Sequence, residues 1–251
     1  MAIVVKSRDE ISIMRESGRI LAETLQLLVD KLRPGLVEKE LDELAHREFK
    51  RRGVTPTFLG YATPPYPATI CVSINDEIVH GIPGNREIQD GDVVSIDIGC
   101  THKGFVADMA VSVCIGNATA EAKHLVDVTK DGLWRGIGAA RGGARVGDIG
   151  AAIQTYVEAE GLAIVREYVG HGVGRQMHED PQIPNYGTPD TGTVLRPGMV
   201  IAIEPMVNVG DWRTKKDADR WTVRTLDGSL SAHFEHTLAI TDGEAEVLTL
   251  P

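Results

Sequence analysis

The sequence predicts an α+β chain built as two similar halves, with helices covering an antiparallel sheet to which both halves contribute. Two observations carry this. The order helix, helix, strands occurs twice, with the division near 115–120. The apolar period switches from about 3.6 to 2 near residue 70 and again after 160. No repeat, linker or low-complexity segment interrupts the chain, so 1–251 reads as one domain with halves of about 1–118 and 119–251.

Taking the elements in order, residues 8–31 place Ile11, Met14, Ile20, Leu21, Leu25, Leu28 and Val29 at helical spacing until Pro34-Gly35 breaks the pattern. A second helix is expected over 37–52, through Leu41, Leu44, Ala45 and Phe49, with Gly53 after it. The segment FLGYATPPYPAT at 58–69 is rich in Gly, Pro and Tyr, and such loops more often connect than bind. Strands follow in ICVSIN, DVVSIDIG and FVADMAVSV, which are β-branched runs separated by turn residues. Helices return over about 120–140 and 147–160. The last ninety residues read as strands in AIVREYV, MVIAIEPMV, WTVRT, SAHFEHTLAI and AEVLTL.

Bulk composition narrows the function classes. With 251 residues and 42% hydrophobic content the chain can bury a sizeable core. A formal charge of −10 and a pI near 5.3 argue against holding nucleic acid or anionic lipid by bulk electrostatics. After Met1 an apolar stretch of only four residues, Ala2 to Val5, precedes the first charges, too few for a signal segment or a membrane span, so a cytosolic protein is expected. Cys71, Cys100 and Cys114 are far apart, odd in number and without a CxxC, which argues against a disulfide framework. The sequon Asn117-Ala118-Thr119 reads as chance in such a protein.

Three groups of residues carry chemistry. VVSIDIGCTHKGFVADMAVSVC at 93–114 reads as a β-hairpin with Asp97 and Asp108 on one face. A turn centred between His102 and Lys103 would set them directly opposite, with Cβ atoms roughly 5 Å apart. A solvated face is the ordinary explanation of a strand Asp. Here the neighbours are small and apolar, and two buried like charges are costly unless a divalent cation joins them. In VGHGVGRQMHEDP at 169–181, His171 and His178 lie within a glycine-rich turn. A lone His is usually structural, but two so close together favour a site, and the glycines do not match a dinucleotide fingerprint. Glu204 in VIAIEP and Glu235 in HFEHT are carboxylates inside apolar strands, where a solvated edge is the ordinary expectation. Together the oxygen and imidazole donors suit Mn²⁺, Fe²⁺, Co²⁺ or Zn²⁺, and carboxylates can bridge two ions.

The ordered motifs DIG(x)₈D, HGVGRxxHEDP, IEP and EHT, at 97–108, 171–181, 203–205 and 235–237, resemble those of the type I methionine aminopeptidases, metallopeptidases of the "pita-bread" fold. INDEIVHGIP and WTVRTLDGSLSAHFEHT extend the resemblance over nearly the whole chain. It implies removal of the initiator methionine when the second residue is small, on nascent polypeptide N-termini, by a monomer that contacts the ribosome at most transiently. It further implies two divalent cations held by Asp97, Asp108, His171, Glu204 and Glu235, with Asp108 and Glu235 bridging. By the same resemblance Glu204 moves the proton, His178 stabilises the oxyanion and His80 contacts the scissile amide. The methionine pocket is expected from Tyr61, Tyr66, Cys71, Met177 and Trp221. Met177 replaces an aromatic residue of some relatives, and the 58–69 loop is longer than theirs by two residues.

The segment between Glu204 and Glu235 lacks the large helical insertion of type II enzymes, no zinc-binding N-terminal extension is expected, and both favour a minimal type I enzyme; Met1-Ala2 fits the rule for its own processing. An X-Pro aminopeptidase or dipeptidase of the same fold would keep all five ligands, but carries an Arg soon after the second Asp, where this chain has Met109-Ala110-Val111. A non-catalytic binding protein reusing the fold would be expected to have lost ligands, and none is missing.

Overall fold

The computed structural model describes residues 3–251; Met1-Ala2 lies outside the described residues. Four helices form where the periodicity places them. Helix α1, Arg8–Val29, opens on a capping box in which Ser7 Oγ accepts from Glu10 N and the Glu10 carboxylate accepts from Ser7 N. Helix α2, Glu38–Arg52, ends on Gly53 in the left-handed region. Helix α3, Ala120–Ala139, is capped by Thr119, whose hydroxyl accepts from Ala122 N. The sequon is thereby explained as a helix start: Asn117 donates to Asp90 beside it. Helix α4 covers Val146–Ala159.

The main sheet runs, in spatial order, Thr55–Pro56, Val93–His102, Phe105–Cys114, Glu235–Ala239, Val200–Ile203, Gly170–Gly172 and Glu179–Ile183, all antiparallel. Ile70–Ile74 also pairs with Val93–His102, and Glu246–Val247 with Glu235–Ala239. Residues from both halves therefore meet at the seam between Phe105–Cys114 and Glu235–Ala239. One face carries Val94, Ile96, Ile98 and Met109, which pack with Leu21, Leu25, Leu28, Leu41 and Phe49 of α1 and α2. On the same face of the second half, Ile201, Ile203 and Leu238 pack with Leu125, Ile137, Ile149 and Ile153 of α3 and α4. Each such aliphatic side chain contributes about 1.5–3 kcal/mol on burial. The helices thus consume one face, and the alternate residues of each strand are left for chemistry.

Several expectations change. The hairpin turn is Lys103-Gly104, not centred on His102-Lys103: His102 pairs with Phe105, and both turn residues have positive φ, 48° and 79°. That is the two-residue turn whose twist matches the strands, and Gly104 enters it without a Cβ penalty. Asp97 consequently faces Ala110, and Asp108 faces Gly99. The carboxylates are diagonal neighbours on one face rather than direct partners. AIVREYV supplies only Ala163–Ile164 as strand. MVIAIEPMV and SAHFEHTLAI each split in two, because Glu204-Pro205 and Phe234 interrupt the ladders. Gly170–Gly172 and Glu179–Ile183, read as turn, are strands at the sheet edge.

Candidate metal centre

Two rows of the free sheet face build the site. In the first, Cys71 pairs with Asp97, Asp97 with Ala110 and Ala110 with Glu235; Glu204 follows Ile203, which pairs with His236. The second row runs through Gly99 opposite Asp108, and Thr237 opposite Ala202 opposite His171. Thr237 Oγ1 ties the two parts together, accepting from Asp108 N at 3.0 Å and donating to Asp108 O at 2.8 Å. Between the chemical residues stand Gly99, Ala110, Thr237 and Ala202, which leave the space above the sheet open. A Cβ on Gly99 would meet the Phe58 ring at 2.7 Å. A Cβ on Gly172 would meet the Asp180 carbonyl oxygen at 2.3 Å, so glycine there lets the edge strand close on its neighbour and present His171.

His171 Nδ1 donates to its neighbour's carbonyl, Gly172 O, at 3.0 Å. A carbonyl only accepts, so Nδ1 carries the proton and Nε2 presents a lone pair. That nitrogen lies 3.4 Å from Glu204 Oε1 and 3.8 Å from Asp108 Oδ2. Burial holds the imidazole neutral, with its pKa lowered to about 3. Burial also pushes Asp97 up to about 7. Asp108, Glu204 and Glu235 rise well above the usual carboxylate range, first through burial and then through one another's charge. Four carboxyl groups therefore share a dry site in which the histidines bring no charge to offset them. Asp97 Oδ1, Glu235 Oε1 and His233 Nε2 are buried with no hydrogen-bond partner. Unpartnered acceptors facing one space are what a divalent cation satisfies, and the residues fit that group.

Donor atoms of Asp108, His171 and Glu235 lie within 4.8 Å of one another, and so do those of Glu204, His233 and Glu235. Glu235 belongs to both sets, as a bridging carboxylate would. His233 escaped the sequence reading. It sits on a short strand, Ser231–His233, with Nε2 3.9 Å from Glu204 Oε2. Its only sequence signal was being one of the polar residues of HFEHT beside Glu235. Asp97 belongs to neither set of three, although its row and its orphaned oxygen place it beside them.

Beside the carboxylates opens a cavity of about 680 Å³ including its mouth, and the twelve residues singled out in the sequence all line it. Phe58 and Ala62 line it as well, so the 58–69 loop is a wall of the cavity and not only a connection. Tyr66 is fixed by donating to Gly81 O at 2.8 Å and Ile70 O at 3.1 Å, and its ring meets Trp221 edge-on at 5.1 Å. His80, held at φ 61°, packs edge-on against Tyr168 and Trp221, and burial lowers its pKa to about 4. The His178 ring lies 4.3 Å from the His171 ring, tilted 60° to it, and shares a 2.6 Å hydrogen bond with the Tyr61 hydroxyl. Cys71 and Met177 are buried in the same apolar cluster as Tyr66. All three cysteines are free.

A buried carboxylate–imidazole set on a duplicated sheet defines a metal-dependent hydrolase, and the model of metallopeptidase family M24 matches residues 12–242. Methionine aminopeptidase 1 of Bacillus subtilis is 51% identical over 247 residues, covering 98% of this chain and 99% of that one. The crystal structure of methionine aminopeptidase from Thermotoga maritima superposes with a TM-score of 0.97 at 45% identity, covering the whole of both chains. The chain belongs to metallopeptidase family M24, in its methionine aminopeptidase branch. Its fold is the pita-bread fold of that family, shared also with the prolidase from Pyrococcus furiosus at a TM-score of 0.81 and 22% identity, a likeness of fold alone. Among the described residues no helix is long and apolar enough to cross a membrane.

Proposed function

We propose that the chain hydrolyses the first peptide bond of polypeptides that begin with methionine, acting as a cytosolic monomer on nascent N-termini. The observation that carries the reading is the uncompensated carboxylate cluster at the floor of an apolar cavity. Asp97, Asp108, His171, Glu204 and Glu235 would hold two divalent ions, Co, Mn, Fe or Zn, with His233 facing the Glu204 side. When bound, such ions activate water near neutral pH and polarise a carbonyl.

The remaining work falls to the chain's own side chains. Glu204, at the end of its strand and turned into the cavity, takes a proton from the attacking water and passes it to the leaving amine. His178 donates to the oxygen that becomes negative. His80, pinned between Tyr168 and Trp221, contacts the scissile amide. Tyr66, Cys71, Met177 and Trp221, with Tyr61 at the rim, enclose an unbranched thioether in polarizable walls. The substrate's free amine would also be held by the bound ions, so only the first residue is removed.

The second residue sits beside the carboxylates under the 58–69 loop, where a large side chain collides, and a clash discriminates more strongly than a missing contact. The test is a Met-X-Ser-Lys series with X from Gly to Phe, scored by kcat/KM with cation-loaded protein. Gly, Ala and Ser are expected to be processed, and Lys, Leu and Phe not. Release of proline from X-Pro substrates, or no release of methionine, would overturn the reading.

A further inference from the structure

The cavity has two walls of different origin. One is the glycine-flanked edge that carries His171, Met177 and His178; the other is the tip of the 58–69 loop. The loop base is rigid. Gly60 N donates to Tyr66 O at 2.8 Å, Tyr66 N to Tyr61 O at 2.9 Å, and Tyr61 N to Phe58 O at 2.9 Å. Phe58 is wedged over Gly99, and the Tyr66 hydroxyl is tied to the backbone. The tip projects from this base and leaves Tyr61 38% exposed. Its side chain nevertheless reaches across the mouth, 2.6 Å from His178 Nδ1 with the rings tilted at 5.5 Å. A wall that only enclosed an apolar side chain would not need this contact.

We infer that Tyr61 is a positioning residue for His178: its phenol donates to Nδ1, fixing the imidazole as the Nε2–H tautomer and aiming that proton at the reacting carbonyl oxygen. A phenol is a better donor than acceptor, and an imidazole nitrogen the reverse, so the short contact runs from O–H to Nδ1. In a neutral imidazole one nitrogen accepts and the other donates, so occupying Nδ1 as acceptor leaves Nε2 the only donor. The opposite tautomer would present a lone pair to a developing negative charge, which repels it. His171, 4.3 Å away, is locked in the mirror arrangement by its own carbonyl partner, with Nδ1 protonated and Nε2 bare. Adjacent imidazoles are thus set to opposite tasks, one accepting toward the carboxylates and one donating toward substrate, by the partner each Nδ1 meets.

This inference rests on the proposed role of His178, and its test separates the two. Tyr61→Phe keeps the wall and removes only the oxygen. With cation-loaded protein and Met-Ala-Ser, kcat is expected to fall roughly five- to tenfold while KM stays within about twofold. Cation uptake measured by calorimetry is expected not to change. In ¹⁵N-histidine spectra of the cation-free protein, with His178 signals assigned by their loss in His178→Ala, Nδ1 is expected as the bare nitrogen, and Tyr61→Phe mixes the tautomers. An unchanged kcat in Tyr61→Phe with a raised KM in Tyr61→Ala would make Tyr61 a wall alone and overturn the inference. A protonated Nδ1 in the unsubstituted protein would overturn it as well. The spectra need no turnover, so they stand even if the aminopeptidase reading fails.

Discussion

Two clusters of buried or half-buried carboxylates lie in this molecule, and they are settled in opposite ways. Around Arg224, the guanidinium meets Asp76, Glu77 and Asp217, each at 2.7 Å, and Arg86 adds a 3.1 Å contact to Glu77. Glu77 also accepts from Ile74 N. Every charge there has a protein partner, and the cluster clips the second half's strand to Glu77–Val79 of the first. Around Asp97, Asp108, Glu204 and Glu235 there is no Lys or Arg ion pair among the described residues; the neighbours are neutral imidazoles and the Met109 N–H that donates to Asp108, and two of the carboxylates leave an oxygen unpartnered. Burying acidic groups does not by itself make a site. What distinguishes one is that the protein leaves the compensation to something it must bind.

The comparison breaks hardest if the second cluster needs no cation. Exhaustive chelation is expected to abolish methionine release and added Co²⁺ or Mn²⁺ to restore it; Asp108→Asn is expected to lose both cation uptake, by calorimetry, and turnover. Full activity in cation-free protein would sink the assignment. Next in size, His178→Ala is expected to lower kcat by about 10²–10³ while binding the same number of ions, since it removes an oxyanion donor rather than a ligand. Loss of cation uptake in that variant would make His178 a ligand instead.

A third effect sharpens the contrast through pH. In cation-free protein the folded state raises Asp97 to about 7, and raises its three partners too. Carboxyls with raised folded-state values contribute stability that is complete below their unfolded values, near 4, and is lost as pH rises through the folded ones. The melting temperature of chelated protein is therefore expected to fall by about 5 °C between pH 5 and 8, and cations to cancel the fall. A melting temperature that rose over that range without cation would contradict the shifts. Smallest, Arg224→Met is expected to cost about 1–3 kcal/mol, reduced because the guanidinium is partly exposed, with cation affinity unchanged. Denaturant unfolding measures the first and calorimetry the second. A variant that weakened cation binding tenfold would show that the clusters are not independent.

The two clusters also differ in how far they could be read from the chain. Asp97 and Asp108 stand in a long hairpin of alternating residues, and Glu235 and Glu204 interrupt apolar runs, so an out-of-place charge marked each. Asp76, Glu77, Asp217 and Arg224 sit in polar loops and short strands, where charge is ordinary, and nothing marked them as partners. His233 was missed for the same reason. It follows Ser231-Ala232 and precedes Phe234 and Glu235, and only the strand pairing of Met206 with His233 turns it toward Glu204.

By itself the sequence determined the four helices, the hairpin, the free sheet face and the donors it carries, because periodicity and caps act over a few residues and are written locally. Tertiary structure decided the register of that hairpin, the strand character of Gly170–Gly172 and the breaks at Glu204 and Phe234. It also decided that His171, His178, Tyr61 and the carboxylates share one cavity. Register followed from which two residues could turn with positive φ, and the glycine-flanked edge from how closely a neighbouring backbone could approach. The Tyr61–His178 pair joins positions 117 residues apart. Contacts of that span are set by the packing of whole sheets, and no short-range pattern along the chain encodes them.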